Sequence, residues 1–276
     1  KNNQLMVVSP LPDSPAEKAG LRPGDKILDI DKESTFGMDV NTAVSKIRGK
    51  AGTQVTLTIT RDGLTKASEI TITRLKINVP SILFSVKPNN VAYLRVMQFN
   101  DDTTGKLNKY IKEIQSRGSK GIVLDLRNNP GGYLSAAIEM ASEWVASGVV
   151  VSEKGMDGQN NVHETQAPHL LSGIKTVVLV NKGSASASEI VAGALQDTKN
   201  AILIGEQTYG KGSVQDFETF PDGSALKLTV AEWFTPNGRN INKEGVKPDI
   251  EIKEDWEKEK IGEDAVLSKA LEFMAS

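Results

Sequence analysis

Gly121-Ile122-Val123-Leu124-Asp125-Leu126 is a near-continuous apolar run, and Lys175-Thr176-Val177-Val178-Leu179-Val180 is a second. A strand that is apolar on both faces must be covered on both faces, which helices do in a parallel sheet. The intervening segments supply such helices. Leu107, Tyr110, Ile111 and Ile114 make a helical stripe, and residues 134–145 and 186–195 read as helix. Val91–Val96, Val149–Val151 and Ala201–Ile204 read as further strands, as does 224–234. Val266, Leu267, Ala270, Leu271 and Met274 make a closing amphipathic helix. Alternation of this kind argues for an α/β fold with a largely parallel sheet. Residues 153–174 carry glycine, asparagine and proline without periodicity and are expected as an irregular loop.

The first part of the chain has a different rhythm. Leu5–Val8 and Lys26–Asp31 read as strands, with the single helical turn Ala16–Gly20 between them. Val40, Val44 and Ile47 lie at i, i+4 and i+7, one face of a helix over Asn41–Arg48. Val55–Thr60 and Glu69–Thr73 flank Arg61-Asp62-Gly63-Leu64, a hairpin signal. The expected organisation is a first domain over 1–75, a linker over 76–90 and a second domain over 91–276.

Composition narrows the chemistry. A net charge of −2 over 276 residues gives no electrostatic case for nucleic acid or an anionic membrane surface. No apolar run reaches the length of a membrane span. With no cysteine, thiolate catalysis, disulfides and Cys-based zinc sites are excluded. Only two histidines are present, His163 and His169, both in the polar, turn-rich stretch.

Asn181-Lys182-Gly183-Ser184-Ala185-Ser186-Ala187-Ser188-Glu189 alternates three serines with small residues, and Thr208-Tyr209-Gly210-Lys211-Gly212 follows. A hydroxyl nucleophile needs a base, usually histidine; here a glycine-flanked lysine offers another. Ser186 would open a helix, whose unpaired N–H groups and positive end suit a developing anion. The same serine, with Glu189 three residues on, fits a capping box, and capping alone would explain it. Lys211 is the candidate base. An exposed lysine titrates near 10.4 and general-base work wants about 7–8, a cost of about 4 kcal/mol that burial can supply. The flanking glycines suit a lysine pressed into a tight cleft. Gln215 is placed to hydrogen-bond its amine. Asn128-Asn129-Pro130-Gly131-Gly132 follows the first buried strand, where ligands of α/β sheets bind, and can aim a backbone N–H at the site.

Two stretches of sequence resemble known families. Ser14-Pro15-Ala16-Glu17-Lys18-Ala19-Gly20-Leu21-Arg22-Pro23-Gly24-Asp25-Lys26-Ile27-Leu28-Asp29-Ile30 looks like a PDZ domain. Such domains take a peptide C-terminus as an added strand beside a helix. The groove would lie between Leu5-Met6-Val7 and the helix carrying Val44 and Arg48. The glycine-containing carboxylate loop of PDZ domains precedes that strand, so it is expected before Lys1. Arg48, ending the helix, reads as a dipole partner, a solvated charge or a ligand sensor.

Leu124–Gly132, Gly183–Glu189 and Gly205-Glu206-Gln207-Thr208-Tyr209-Gly210-Lys211-Gly212-Ser213-Val214-Gln215 resemble the carboxyl-terminal processing (tail-specific) proteases, most closely Gram-positive bacterial members. The resemblance implies a ClpP/crotonase-like core behind an N-terminal PDZ domain that lacks its carboxylate-binding loop, with further segments at both ends. It implies a serine endoprotease with Ser186 as nucleophile, Lys211 as base and Gln215 orienting the lysine. Ala187 and either Gly131 or Gly132 would form the oxyanion hole. It implies no cofactor and no metal, and substrates that are proteins or peptides with a free C-terminus, bound and gated through the PDZ domain. It implies action outside the cytoplasm, and is compatible with homo-oligomers and membrane-proximal substrates. Two rivals remain. A catalytically silent PDZ adaptor is disfavoured by intact Ser186, Lys211 and Gln215, and an acyl-CoA enzyme by the lack of any signal for an adenine pocket.

Overall fold

A computed structural model describes residues 5–7, 10, 14–22, 24–61, 66–76, 80–155, 158–166, 168–219, 225–253 and 264–275. The chain divides into two units, residues 1–79 and 80–276.

In the first unit β1 (Leu5–Met6), β2 (Lys26–Ile30), β4 (Gln54–Thr60) and β5 (Ser68–Thr73) form an antiparallel sheet in that order, with β3 (Glu33–Ser34) paired to β2. The alternation read in β4 is literal: Val55, Leu57 and Ile59 are buried, while Gln54 is exposed and Thr56, Thr58 and Thr60 are half-buried. Two helices attend the sheet, α1 (Pro15–Lys18), capped by Ser14, and α2 (Val40–Ile47), capped by Asp39. The stripe expected on α2 is rotated. Val40 is 64% exposed, and the fully buried position is Ala43, with Val44 and Ile47 half-buried. A small side chain at Ala43 lets the helix approach the sheet, so the contact face passes through it. Of the hairpin turn expected at Arg61–Leu64, residues 62–64 lie outside the described residues, as do Val8 of the first expected strand and Pro23.

Arg74, just past β5, secures the end of α2. Its guanidinium donates to the carbonyls of Ile47 at 2.7 Å and Lys46 at 2.9 Å, and to that of Gln54 at 2.6 Å. The carbonyls of Ile47 and Lys46 are ones that a helix end leaves unpaired. Arg61 forms a fork on the buried Asp25 carboxylate, at 2.6 Å to each oxygen.

The second unit is built on a six-stranded sheet in the order β15 (Ile250–Glu251), β12 (Ile202–Gly205), β11 (Thr176–Val180), β8 (Gly121–Asp125), β7 (Val91–Val96) and β6 (Ile82–Lys87). All pairs are parallel except β6 with β7. Residues 82–87, expected within a linker, are therefore an edge strand of this sheet. The prolines at 80 and 88 bracket it and hid it from a periodicity reading. The buried runs behave as expected: every residue of β8 and β11 is buried. One face, with Leu94, Ile122, Leu124, Val178 and Leu203, packs on α3 (Thr103–Arg117), α4 (Leu134–Ser142) and α5 (Ala187–Asp197). The other, with Val123, Val177, Leu179 and Ile204, packs on α6 (Ala265–Ala275) through Val266 and Ala270.

A second, antiparallel sheet of four strands runs β10 (Asn160–Glu164), β9 (Val149–Gly155), β14 (Ala225–Phe234), β13 (Ser213–Thr219). Its β9–β10 hairpin occupies much of the stretch expected as an irregular loop, residues 153–174. Asn160, Asn161, Val162 and Glu164 of β10 are exposed, so the strand has no buried apolar face for an alternating pattern to mark.

Candidate active site

Parallel strands β8, β11 and β12 are neighbours, so the loops leaving their C-terminal ends converge. These are residues 126–132, 181–186 and 206–212, and they contain every catalytic and oxyanion candidate except Ala187 and Gln215. Ala187 is the first residue of α5. Gln215 lies in β13, and its side chain is outside the described residues.

The first two loops are laced together by polar side chains. Asn181 Oδ1 accepts the N–H groups of Asn128 and Gly183, each at 2.9 Å, and its amide donates to Asn128 Oδ1 at 3.1 Å. Asn129, fully buried, accepts the Gly131 N–H on Oδ1 at 2.9 Å. Its carbonyl accepts the Ala185 N–H and the Ser188 hydroxyl, both at 3.0 Å. Ser184 donates its hydroxyl to the Leu126 carbonyl at 2.8 Å.

This lacing separates the three serines. Ser184 and Ser188 are both 0% exposed and spend their hydroxyl protons on the backbone of the neighbouring loop. Ser186 is half-buried and donates to no group among the described residues. Its backbone is unusual, with φ 57° and ψ −116° at the cap of α5. A non-glycine residue in that region is strained by roughly 1–3 kcal/mol, and such strain concentrates at functional turns. The capping-box pairing with Glu189 is present as well, its carboxylate accepting the Ser186 N–H at 2.8 Å. Capping and an available hydroxyl coexist here.

Gly131 lies against the serine. A Cβ on it would sit 2.8 Å from Ser186 Cβ, 2.7 Å from the Ala185 oxygen and 3.0 Å from the Ala187 nitrogen. Gly132 packs instead on Phe99, whose carbonyl oxygen a Cβ would meet at 1.8 Å. The Gly131 N–H is taken by Asn129, whereas the N–H groups of Gly132 and Ala187 meet no acceptor among the described residues.

The third loop is tied in by Glu189, which sequence reading placed only in a cap. Its carboxylate is fully buried and accepts four donors: the N–H groups of Ser186 and Lys211 on Oε2, and Thr208 Oγ1 and the Gly210 N–H on Oε1, at 2.5 to 2.9 Å. The glycines beside Lys211 have a different cause from the one expected. Segment 241–245 runs against them, and a Cβ on Gly212 would sit 2.1 Å from the Asn242 nitrogen. Lys211 itself is exposed, not pressed into a cleft, and its amine meets no partner among the described residues. Neither histidine joins these loops: His163 stands 3.5 Å from Glu153, and His169 Nδ1 is 2.6 Å from the Ser142 carbonyl.

Both units of the chain are similar to known proteins. Residues 90–252 match the peptidase family S41 and residues 6–61 a PDZ domain. A carboxy-terminal processing protease CtpA of Bacillus subtilis is 40% identical over 251 residues, 91% of this chain and 53% of its own length. A carboxy-terminal-processing protease of Bartonella bacilliformis is 43% identical over 276 residues, 98% of this chain and 63% of its own. A probable CtpA-like serine protease of Staphylococcus haemolyticus is 43% identical over 254 residues, 91% of this chain and 51% of its own. The chain thus spans half to under two thirds of the length of these curated relatives. Among solved structures, a photosystem II D1 C-terminal processing protease is similar with TM-score 0.67 and 34% identity, over 91% of this chain and 68% of that one. Joined to the three converging loops, these matches show that the chain belongs to peptidase family S41, the C-terminal processing serine peptidases, with a PDZ domain ahead of the peptidase segment.

Proposed function

We propose that this chain hydrolyses peptide bonds through an acyl-enzyme on Ser186, with Lys211 as base. The observation that carries this reading is the division among the serines: Ser184 and Ser188 give their hydroxyl protons to backbone carbonyls, whereas Ser186 donates to no group among the described residues. In this reading the Ser186 oxygen attacks the scissile carbonyl carbon while its proton passes to the neutral Lys211 amine. The N–H groups of Ala187 and Gly132 receive the oxyanion, helped by the positive end of α5. Lys211 then protonates the leaving amine, and water, deprotonated by the same amine, releases the acyl group. Gln215 orients the lysine. The PDZ domain holds a substrate's C-terminal tail between β1 and α2, with Leu5, Met6, Val7 and Val44 lining that groove. Substrates are proteins met outside the cytoplasm.

The exposed Lys211 side chain favours a second reading, that of a PDZ adaptor without catalysis. In the first reading the same exposure is a resting arrangement, and the base engages when substrate covers it. A fluorophosphonate label separates the two. Labelling lost in Ser186→Ala but kept in Ser184→Ala and Ser188→Ala supports the protease, with mass spectrometry of cut sites giving its specificity. Absence of labelling under all conditions supports the adaptor.

A further inference from the structure

Arg127 opens the turn that carries Gly131 and Gly132, and its side chain is held both by a carboxylate two residues back and by one far along the chain. The guanidinium reaches Asp125 Oδ2 at 2.7 Å and Oδ1 at 3.0 Å, and makes a second fork on Asp264, at 2.9 Å to Oδ1 and 2.8 Å to Oδ2. Asp264 stands 137 residues away in sequence, immediately before α6. Its Oδ1 also accepts the Leu267 N–H at 2.8 Å, so it caps that helix while holding the arginine. Asp125 is fully buried and accepts two further donors, the Arg127 N–H at 3.0 Å and the Tyr93 hydroxyl at 2.6 Å. The Arg127 side chain is only 10% exposed.

We propose that Asp264 is a positioning residue for the oxyanion turn, acting through Arg127. The inference rests on the proposed chemistry at Ser186. Its physical basis is a short chain of fixed bonds. Asp264 fixes the guanidinium, and Asp125 fixes both the guanidinium and the backbone N–H of Arg127. From there Asn128 is bonded to Asn181, and Asn129 to Gly131, Ala185 and Ser188. Gly131 then abuts Ser186 with no room for a methyl group. A bidentate fork is stiff in a way that one hydrogen bond is not, because it fixes the plane of the guanidinium. Without Asp264 the arginine keeps Asp125 but loses the second fork that holds that plane from α6.

The test replaces the charge while keeping the helix cap. Asp264→Asn and Asp264→Ser both retain an acceptor for the Leu267 N–H, since Asn and Ser are good caps, but neither offers a carboxylate to the fork. In the full chain, each variant is melted and then assayed on a short peptide without a recognised tail. The expected result is kcat lower by about 10- to 100-fold, the scale of an ångström-level misplacement, with KM changed less than about 2-fold. Fluorophosphonate labelling of Ser186 slows with it, and added formate restores part of the rate in Asp264→Ser. Should Asp264→Ser unfold, the isosteric Asp264→Asn carries the test alone. A folded variant with parental kcat, or one in which only KM or the melting temperature moves, overturns the proposal. A parent labelled no better than Ser186→Ala is a different result, which removes the reading of the site and this inference with it.

Discussion

Ser186 and Lys211 donate their backbone N–H groups to the same oxygen, Oε2 of Glu189, at 2.8 and 2.9 Å. The proposed nucleophile and base, which stand in different loops, are thus referenced to one buried atom. Glutamine at position 189 would keep the shape and replace one acceptor oxygen with a donor. Two of the four groups that point at the carboxylate would then face an N–H. A buried donor left without its acceptor costs about 1–3 kcal/mol, so Glu189→Gln is expected to lose about 2–6 kcal/mol of stability. Activity should fall by at least about 100-fold even where the variant is folded, because both loops shift together. Chemical denaturation and single-substrate kinetics check this; a stable, fully active Glu189→Gln would contradict it.

The strain at Ser186 gives a prediction that an ordinary cap would not. Alanine removes the hydroxyl but keeps a Cβ at φ 57°, whereas glycine removes both and accepts that conformation freely. Ser186→Gly is therefore expected to melt higher than Ser186→Ala by a margin worth about 1 kcal/mol, with both inactive. Equal melting temperatures would mean that the turn carries no strain.

Lys211→Ala and Lys211→Arg are both expected to be inactive, with Ser186 still present and the fold unchanged. An arginine cannot release its proton in a protein, so it preserves charge without supplying a base. Because the side chain is exposed, the melting temperature should hardly move in either variant. Substantial turnover by Lys211→Arg would remove the lysine from the mechanism, and a profile lost in His163→Ala would move the base to a histidine.

The sequence made the scaffold legible wherever burial is two-sided. The runs 121–126 and 175–180 could only be covered strands, and small residues ahead of an apolar helix marked 181–189. What escaped reading was long-range polar bonding. Nothing in Ser-Ala-Ser-Ala-Ser-Glu tells that Glu189 collects donors from residues 208–211, or that the outer serines are spent on Leu126 and Asn129. The glycines around Lys211 were legible as a requirement for close approach, but what approaches them is a backbone segment, not the lysine's own cleft. Of the second sheet, β9 and β14 were legible as strands, but β10 was not, because four of its five residues are exposed and no buried apolar face marks it.

The pair between Arg127 and Asp264 has an acid signature. Burial works against the Asp264 charge, but hydrogen bonding and attraction from Arg127, the Leu267 N–H and more distant Arg95 outweigh it and hold the carboxyl below its usual range. A depressed carboxyl stabilises the fold above its unfolded value near 3.9, and that contribution fades as pH falls through the folded value. Asp264 is 35% exposed in its side chain, so solvent screening limits the effect to about 1 kcal/mol or less. Melting curves from pH 6 down to 2 should show the parent losing this increment at about pH 4 and below, with Asp264→Asn lacking it. Parallel curves for the two proteins would count against the pairing.

The last prediction concerns Arg48 and the coupling of tail binding to catalysis. From sequence, Arg48 reads as the partner of the α2 dipole, a solvated charge or a sensor of bound ligand. The structure gives the carbonyls of Lys46 and Ile47 to Arg74. Arg48 is exposed, with no partner for its side chain among the described residues. The two arginines should therefore separate. Arg74→Ala is expected to destabilise the first unit by about 1–3 kcal/mol, the cost of unpaired helix-end carbonyls, while Arg48→Ala leaves its melting unchanged. Tethering alone would lower KM for tailed substrates and nothing else. Gating requires that the tail-bound PDZ domain favour a different state of the peptidase, and such coupling is typically worth about 1–3 kcal/mol, or roughly 5–150-fold in activity. A short peptide with a free apolar C-terminus is therefore expected to raise kcat on an unrelated, tail-less substrate. That stimulation should vanish in Arg48→Ala while the peptide still binds. Stimulation that survives in Arg48→Ala would place the coupling elsewhere, and peptide that only competes with substrate would leave tethering as the whole role of the PDZ domain.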